Sequence, residues 1–355
     1  MPSLSPATVS AQCPAPGRLK RALWCLPLLY LLHPLPTLAA LPGSSAPQPA
    51  APLHAPAQVI APSPGDCTAG KVLSFVAHPD DDLLFMNPDQ DDAIRQGRCV
   101  HTVYLTTGDR GEGMGYTLAR ERGIMAAYAD MAGVADAWST DGLPVGQHTL
   151  VRHTLRANPR VQLIMLRLPD PWLGDGWGSL TPLSRLESVR HARVRSYAPY
   201  PDTYTRGELV RMLATLIRQE RPQAIRLMDP AIHVPYRSLC WRCAGHDHPD
   251  HIAGARLVER AMTLAPGSYT RTNYLNYPSQ ERQSNLDAAQ TARKTAIYLR
   301  YAVDDPRTCP PGTPCTRPTG PEAAWVGRQY YTQPAAAPLQ ARAPKPVTAQ
   351  SRPVP

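Results

Sequence analysis

Two short stretches carry side chains able to do chemistry. The first is His78-Pro79-Asp80-Asp81-Asp82, where an imidazole and three carboxylates crowd the end of an apolar run. A ring nitrogen and a carboxylate oxygen suit a borderline metal such as zinc, and a second carboxylate is left over as a base for a metal-activated water. Read blandly, the same residues are a polar turn that ends a strand. The second stretch is Gly245-His246-Asp247-His248-Pro249-Asp250-His251. Core packing explains three such closely spaced histidines poorly; a solvated histidine-rich loop is the plain alternative. Pro249 and Asp250 suit the first turn of a helix. His248 and His251 then stand three apart and project to one side.

The elements that must position these groups follow from hydrophobic pattern. Lys71 leads into Val72, Leu73, Phe75, Val76 and Ala77, the bounded apolar run of a strand buried on both faces. Residues 91–97 read as helix, 100–106 as a second strand, and 118–131 as a helix stopped by Gly133. Residues 138–160 have little pattern; 161–168 make a third strand. Leu209, Val210, Leu213, Leu216 and Ile217 give an amphipathic helix over 207–219, followed by a strand at 224–228. Ala253, Leu257, Ala261 and Leu264 extend the second stretch into a helix, and another from Asn285 carries Lys294, Tyr298 and Tyr301. Strand and helix alternate, which predicts an α/β, Rossmann-like three-layer fold with a mostly parallel sheet. Ligands gather at the carboxyl ends of such strands, where His78 sits.

Three loops stand out. Gly108, Gly111, Gly113 and Gly115 make a flexible segment without the spacing of a phosphate cradle, and Asp109 within it reads as a turn residue. Trp172 and Trp177 lie in a loop at 169–178; they offer a platform for a sugar ring, although loop aromatics more often pack on their own domain. Cys240 and Cys243 bracket a local bridge, with a redox pair or half a zinc site as alternatives.

Composition bounds the rest. Residues 1–45 have the order of a secretory signal: Arg18, Lys20 and Arg21, an apolar stretch from Ala22 to Ala40, and small residues at its end. An uncleaved anchor is the alternative, but Pro27, Pro34 and Pro36 argue against a stable membrane span. Residues 46–66 read as a Pro/Ala-rich linker, 67–332 as the folded domain and 333–355 as a Pro/Ala-rich tail. The signal and the tail each carry three cations and no acid, so the formal charge of +9 leaves only +3 between them. That excludes nucleic acid as the partner the charge would suggest. Six cysteines remain past the signal, an even count consistent with disulfides in an exported protein. Cys309 with Cys315 is favoured by proximity, and Cys67 and Cys99, each just before an apolar run, could join neighbouring strands.

Ala77-His78-Pro79-Asp80-Asp81 at a strand end and His248-Pro249-Asp250-His251 at a helix start, in that order, resemble the PIG-L or LmbE-like zinc-dependent N-deacetylases. The resemblance spans Lys71 to Asp304. The family's first motif usually ends in glutamate where Asp82 stands here. The resemblance implies one zinc per chain, bound by His78, Asp81 and His251 with a position left open for water. It implies Asp80 as general base, and His248 as the group that stabilises the oxyanion and protonates the leaving amine, with Asp250 holding its ring. It also implies an arginine near the acyl group, for which Arg120 is chosen over Arg122. The expected activity is zinc-hydroxide attack on the amide of an N-acetylated amino sugar or glycan by an exported enzyme. The competing readings are a secreted carbohydrate-binding protein without catalysis, and an amidase for a non-sugar acylated amine.

Overall fold

The structure, a computed structural model, describes residues 65–332 apart from 173, 175–178 and 242. The signal, most of the linker, the tail and Trp177 lie outside the described residues. In chain order the elements are β1 (Lys71–Val76), a short helical turn (Asp82–Met86), α1 (Asp89–Arg95), β2 (Cys99–Thr106), α2 (Met114–Ala132), β3 (Trp138–Val145), β4 (His148–Leu155) and β5 (Val161–Leu168). There follow α3 (Pro182–Ser188), β6 (Arg193–Arg195), β7 (Thr203–Thr205), α4 (Arg206–Glu220), β8 (Ala224–Met228) and α5 (Pro249–Leu264). The last are β9 (Thr270–Tyr274), α6 (Ala288–Ala302), α7 (Glu322–Trp325) and β10 (Tyr331–Thr332).

Eight strands form one sheet in the order β10-β9-β8-β1-β2-β5-β4-β3. The five strands from β9 to β5 run parallel; β10, β4 and β3 are antiparallel additions at the two edges. Strand β1 is central and shows why. Leu73 and Phe75 pack with Leu183, Leu209, Leu213 and Leu257 of the α3, α4 and α5 layer. Val72 and Val76 pack with Ile124, Tyr128 and Ile297 of the α2 and α6 layer. Each such fully buried apolar side chain stabilises the fold by about 1.5–3 kcal/mol, so the alternation locks both helical layers onto the sheet. The expected three-layer α/β architecture is the one observed.

The region without clear pattern holds the β3–β4 hairpin, turned at Gly146 with φ 61°. Strand β3 is half-exposed and contains Gly142 and Pro144, which hide a strand signal. The six cysteines of the domain stand at disulfide distance as Cys67–Cys99, Cys240–Cys243 and Cys309–Cys315, with Cα separations of 5.2, 5.6 and 5.7 Å. No helix among the described residues is long and apolar enough to cross a membrane.

Candidate active site

The end of β1 and the start of α5 meet. His78, Asp80 and Asp81 follow β1 in a tight turn, where the His78 backbone N–H donates to Asp81 Oδ2 at 2.6 Å. His248 is the N-cap of α5, and its Nδ1 accepts the Asp250 N–H at 3.2 Å. His251 lies one helical turn on and is fully buried.

Three side chains converge. His78 Nδ1 is 3.2 Å from His251 Nε2 and 3.3 Å from Asp81 Oδ2, and His251 Nε2 is 3.1 Å from Asp81 Oδ1. Nitrogen and oxygen ligands held tetrahedrally at about 2.0–2.1 Å from a metal stand about 3.3 Å apart, so these spacings, with Asp81 meeting each histidine through a different oxygen, suit a metal ion. The far side of each ring supports this. His251 Nδ1 faces Asp247 Oδ1 at 2.7 Å, and Asn276 Nδ2 donates to the other Asp247 oxygen at 2.8 Å. His78 Nε2 is 3.2 Å from Asp170 Oδ2, poorly aligned for a hydrogen bond, and 3.8 Å from Asp250 Oδ2. A carboxylate behind a ligating imidazole fixes its tautomer and raises its basicity. His78 could instead join Asp170 and Asp250, or His248 and His251, as a donor set. The set with Asp81 is preferred because a carboxylate oxygen of Asp81 lies near the tetrahedral edge from each histidine and the two histidines lie near it from one another.

The electrostatics call for a cation here. Burial opposes charge on His78, yet Asp81 and Asp170 hold its pKa well above the ordinary value. Burial likewise opposes charge on His251, yet Asp81 and Asp247 hold it at about 9. Burial works against the charged form of Asp81, and the two histidines overcome it to keep that carboxyl well below its usual range. The pocket thus stabilises positive charge where a metal would supply it.

Asp80 stands beside this cluster with its side chain 20% exposed. Burial pushes its pKa up, and Arg120 counters that from 2.8 Å. Arg120 is buried and fixed on every side: Nε donates to Tyr301 Oη at 2.6 Å, Nη1 to Gly108 O at 2.8 Å, and Nη2 to Pro79 O at 3.2 Å. Asp305 accepts from Tyr301 and Tyr116 and lies 3.6 Å from Arg120. Arg122 points away, exposed, toward Asp304.

Burial, then repulsion by His78, holds His248 well below its usual pKa, so its ring is neutral. With Nδ1 accepting a backbone N–H, the proton of that neutral ring sits on Nε2. Asp250 therefore serves the His248 ring through its backbone amide. Its carboxylate turns to Thr181 Oγ1 and toward His78, because Asp250 occupies the first turn of α5 and His248 the cap.

Asp82 lies under the site as the acceptor of Tyr104 and Tyr128 hydroxyls. Asp109 is a buried turn residue that also fastens the next loop, accepting the Asp170 N–H at 2.8 Å. His246 accepts the Cys240 N–H and lies apart from the cluster.

His78, Asp80, Arg120, Asp170, His248 and Tyr277 line the buried part of a cavity of about 630 Å³. Asp170 and the Tyr301–Asp305 pair were missed as site residues from sequence, whereas Asp247, which precedes the second motif, was open to a supporting contact or to none. Asp170 follows β5 directly, so its place at a parallel strand's carboxyl end was a usable signal. Tyr301 and Asp305 carry no local signal at all.

The model of the family described as "PIG-L: GlcNAc-PI de-N-acetylase" matches residues 73–262. A 1D-myo-inositol 2-acetamido-2-deoxy-alpha-D-glucopyranoside deacetylase of Nakamurella multipartita is 26% identical over 66% of this chain and 68% of its own length. The enzyme of the same description from Rhodococcus opacus is 26% identical over 55% of this chain, which spans only 54% of that relative. Among solved structures, the N,N'-diacetylchitobiose deacetylase of Pyrococcus horikoshii aligns at 17% identity and TM-score 0.36, covering 68% of this chain and 74% of that one.

Proposed function

The chain belongs to the PIG-L family, whose model spans more than half of it, and from that premise we propose that it is an exported, zinc-dependent hydrolase of amide C–N bonds, removing the acetyl group from an N-acetylated amino sugar or glycoconjugate. The observation that carries this reading is the convergence of His78 Nδ1, His251 Nε2 and Asp81 within 3.1–3.3 Å of one another, with Asp80 alongside. Export rests on the order of residues 1–45 and on the paired cysteines.

His78, Asp81 and His251 would hold the zinc, which when bound lowers the pKa of water and polarises a carbonyl. Asp80 takes the proton of the attacking water; burial raises its pKa, and Arg120 favours the ionised form against that burial. His248 presents its Nε2–H to the oxygen that becomes negative as the amide carbonyl turns tetrahedral. Asp80, now carrying a proton, and the His248 N–H lie beside the nitrogen that must be protonated as the C–N bond breaks. The amine leaves and acetate remains. Four of the five N–H donors of Arg120 go to Asp80, Gly108, Pro79 and Tyr301, so it positions and charge-balances the base while still lining the cavity.

The test is acetate release from a panel of N-acetylated amino sugars and oligosaccharides by the zinc-loaded, full-length protein. Release from at least one member, abolished by chelation and restored by zinc, is expected. Stoichiometric zinc with no acetate from any member sinks the reading.

A further inference from the structure

The hydrolytic groups occupy only the buried part of the cavity; its exposed part has a make-up that amide hydrolysis does not use. A file of rings leads outward from the proposed metal ligand His251. Tyr277 lies 4.8 Å from it, Trp241 5.3 Å from Tyr277, and Trp172 6.1 Å from Trp241, with interplanar angles of 81°, 74° and 80°. Each step is near the width of a sugar ring, so the file is longer than one hexosamine. Trp172 stays 39% exposed even though the Arg110 guanidinium carbon lies 4.4 Å over its ring.

Arg110 is itself unusual. Its φ of 53° falls in the left-handed region, which side chains other than glycine and asparagine rarely adopt, and it sits between Gly108 and Gly111, both at positive φ. The loop after β2 is thus bent to lay this arginine on that tryptophan, and backbone strain of this kind clusters at ligand clamps. The rest of the outer lining sets Arg307, Thr308, Thr319 and Glu322 beside Pro171 and Pro321.

Rings with polar donors beside them meet the two sides of a pyranose, which has an apolar C–H face and a rim of hydroxyls. A fatty chain would leave Arg110 and the threonines unmet, and a small anion would need no rings. We propose that Trp172, Trp241 and Arg110 form a second subsite for a neighbouring sugar, so that the protein takes its N-acetylated residue within an oligosaccharide in preference to the free monosaccharide. This rests on the deacetylase reading of the buried part.

Calorimetric binding of N-acetylglucosamine and of its β-1,4-linked trimer to the zinc-loaded, full-length protein carrying Asp80→Asn, so that the sugars are not consumed, tests it. The trimer is expected to bind about tenfold or more tightly than the monomer, the scale of one aromatic contact. Trp172→Ala or Arg110→Ala should bring the ratio close to one, and Trp172→Phe should restore most of it; thermal melts and zinc content establish that each variant is folded. Equal affinities, no binding of either sugar, or a preference for the trimer that Trp172→Ala leaves intact overturns the proposal. Acetate release by the Asp80 protein is measured in parallel. Acetate from both sugars without preference removes the subsite and keeps the deacetylase. Trimer binding that depends on Trp172, with no acetate released, keeps the subsite and removes the deacetylase.

Discussion

Replacing Arg120 with methionine asks whether that guanidinium tunes the base or merely fills space. The pair stands at 2.8 Å, and at an effective dielectric of about 20 its direct attraction is roughly 6 kcal/mol. That is a ceiling, because the Asp80 side chain is 20% exposed and water screens it. An opposite charge at this range lowers a carboxylate's pKa by about 1–3 units; with the screening, the lower half of that range applies, about 1.4–2.7 kcal/mol. The base works ionised, so activity rises with pH through its pKa. Losing the cation raises that pKa, and the acidic limb of kcat/KM for acetate release should move up by about 1–2 units. The deficit should be deepest below the limb and shrink above it. Arg120→Lys keeps the charge but not the contacts to Gly108, Pro79 and Tyr301, so it should lower kcat while leaving the limb nearer its original place. Breaking a buried pair also costs about 3–5 kcal/mol of stability, which thermal melts will register separately. A methionine variant that is slow by the same factor at every pH would refute the tuning argument.

Asp80→Asn should reduce acetate release by about 10²–10⁴-fold while metal content by elemental analysis is unchanged, whereas His78→Ala should lose the metal itself; an Asp80→Asn protein that turns over normally contradicts its assignment as base. Asp247→Asn removes the carboxylate behind His251 and should weaken metal affinity by about 10–100-fold, read by competition with a chelator; unchanged affinity would mean the buttress is idle. Glu220, bound by Lys71 at 2.6 Å and His101 at 2.8 Å, has its pKa held at about 2 against its burial. Its folded pKa is depressed, so its contribution is present above about pH 4.5 and lost as pH falls through about 2. Glu220→Gln should therefore lower stability by about 2–3 kcal/mol at pH 7 in urea melts, with the gap closing in acid; a gap of equal size at pH 2 would show that packing and not charge is at stake. Gly123→Ala places a Cβ 2.5 Å from the Tyr301 carbonyl oxygen, which must push α6 off α2; a loss of about 1–3 kcal/mol with reduced activity is expected, and a neutral result would show that the crossing is slack.

The hydrolytic groups were legible because each half of the site is compact in sequence. His78, Asp80 and Asp81 fall at one strand end and His248 and His251 in one helical turn, so type and spacing were enough to group them. What escaped was whatever depends on a loop from elsewhere arriving behind a ring. Asp170 is merely an aspartate between prolines until β5 is known to lie beside β2, and Asp247 could be placed near His251 but not against its Nδ1. The β3–β4 hairpin escaped for a different reason: an edge hairpin with one exposed strand needs little alternation to be stable beside β5. The parallel strands, buried on both faces, had to spell themselves out in apolar residues.

The grip on Arg120 has a consequence in time. The proposed metal ligands are complete once the chain has been made to His251, but Tyr301 and Asp305, which hold the arginine beside the proposed base, come later, and Tyr301 reaches it from α6, which crosses α2 closely at Gly123. A chain emerging amino terminus first therefore carries every proposed ligand before it carries the groups that hold Arg120. The groups that set the charge of the proposed base thus arrive with α6, after every proposed ligand is already in the chain.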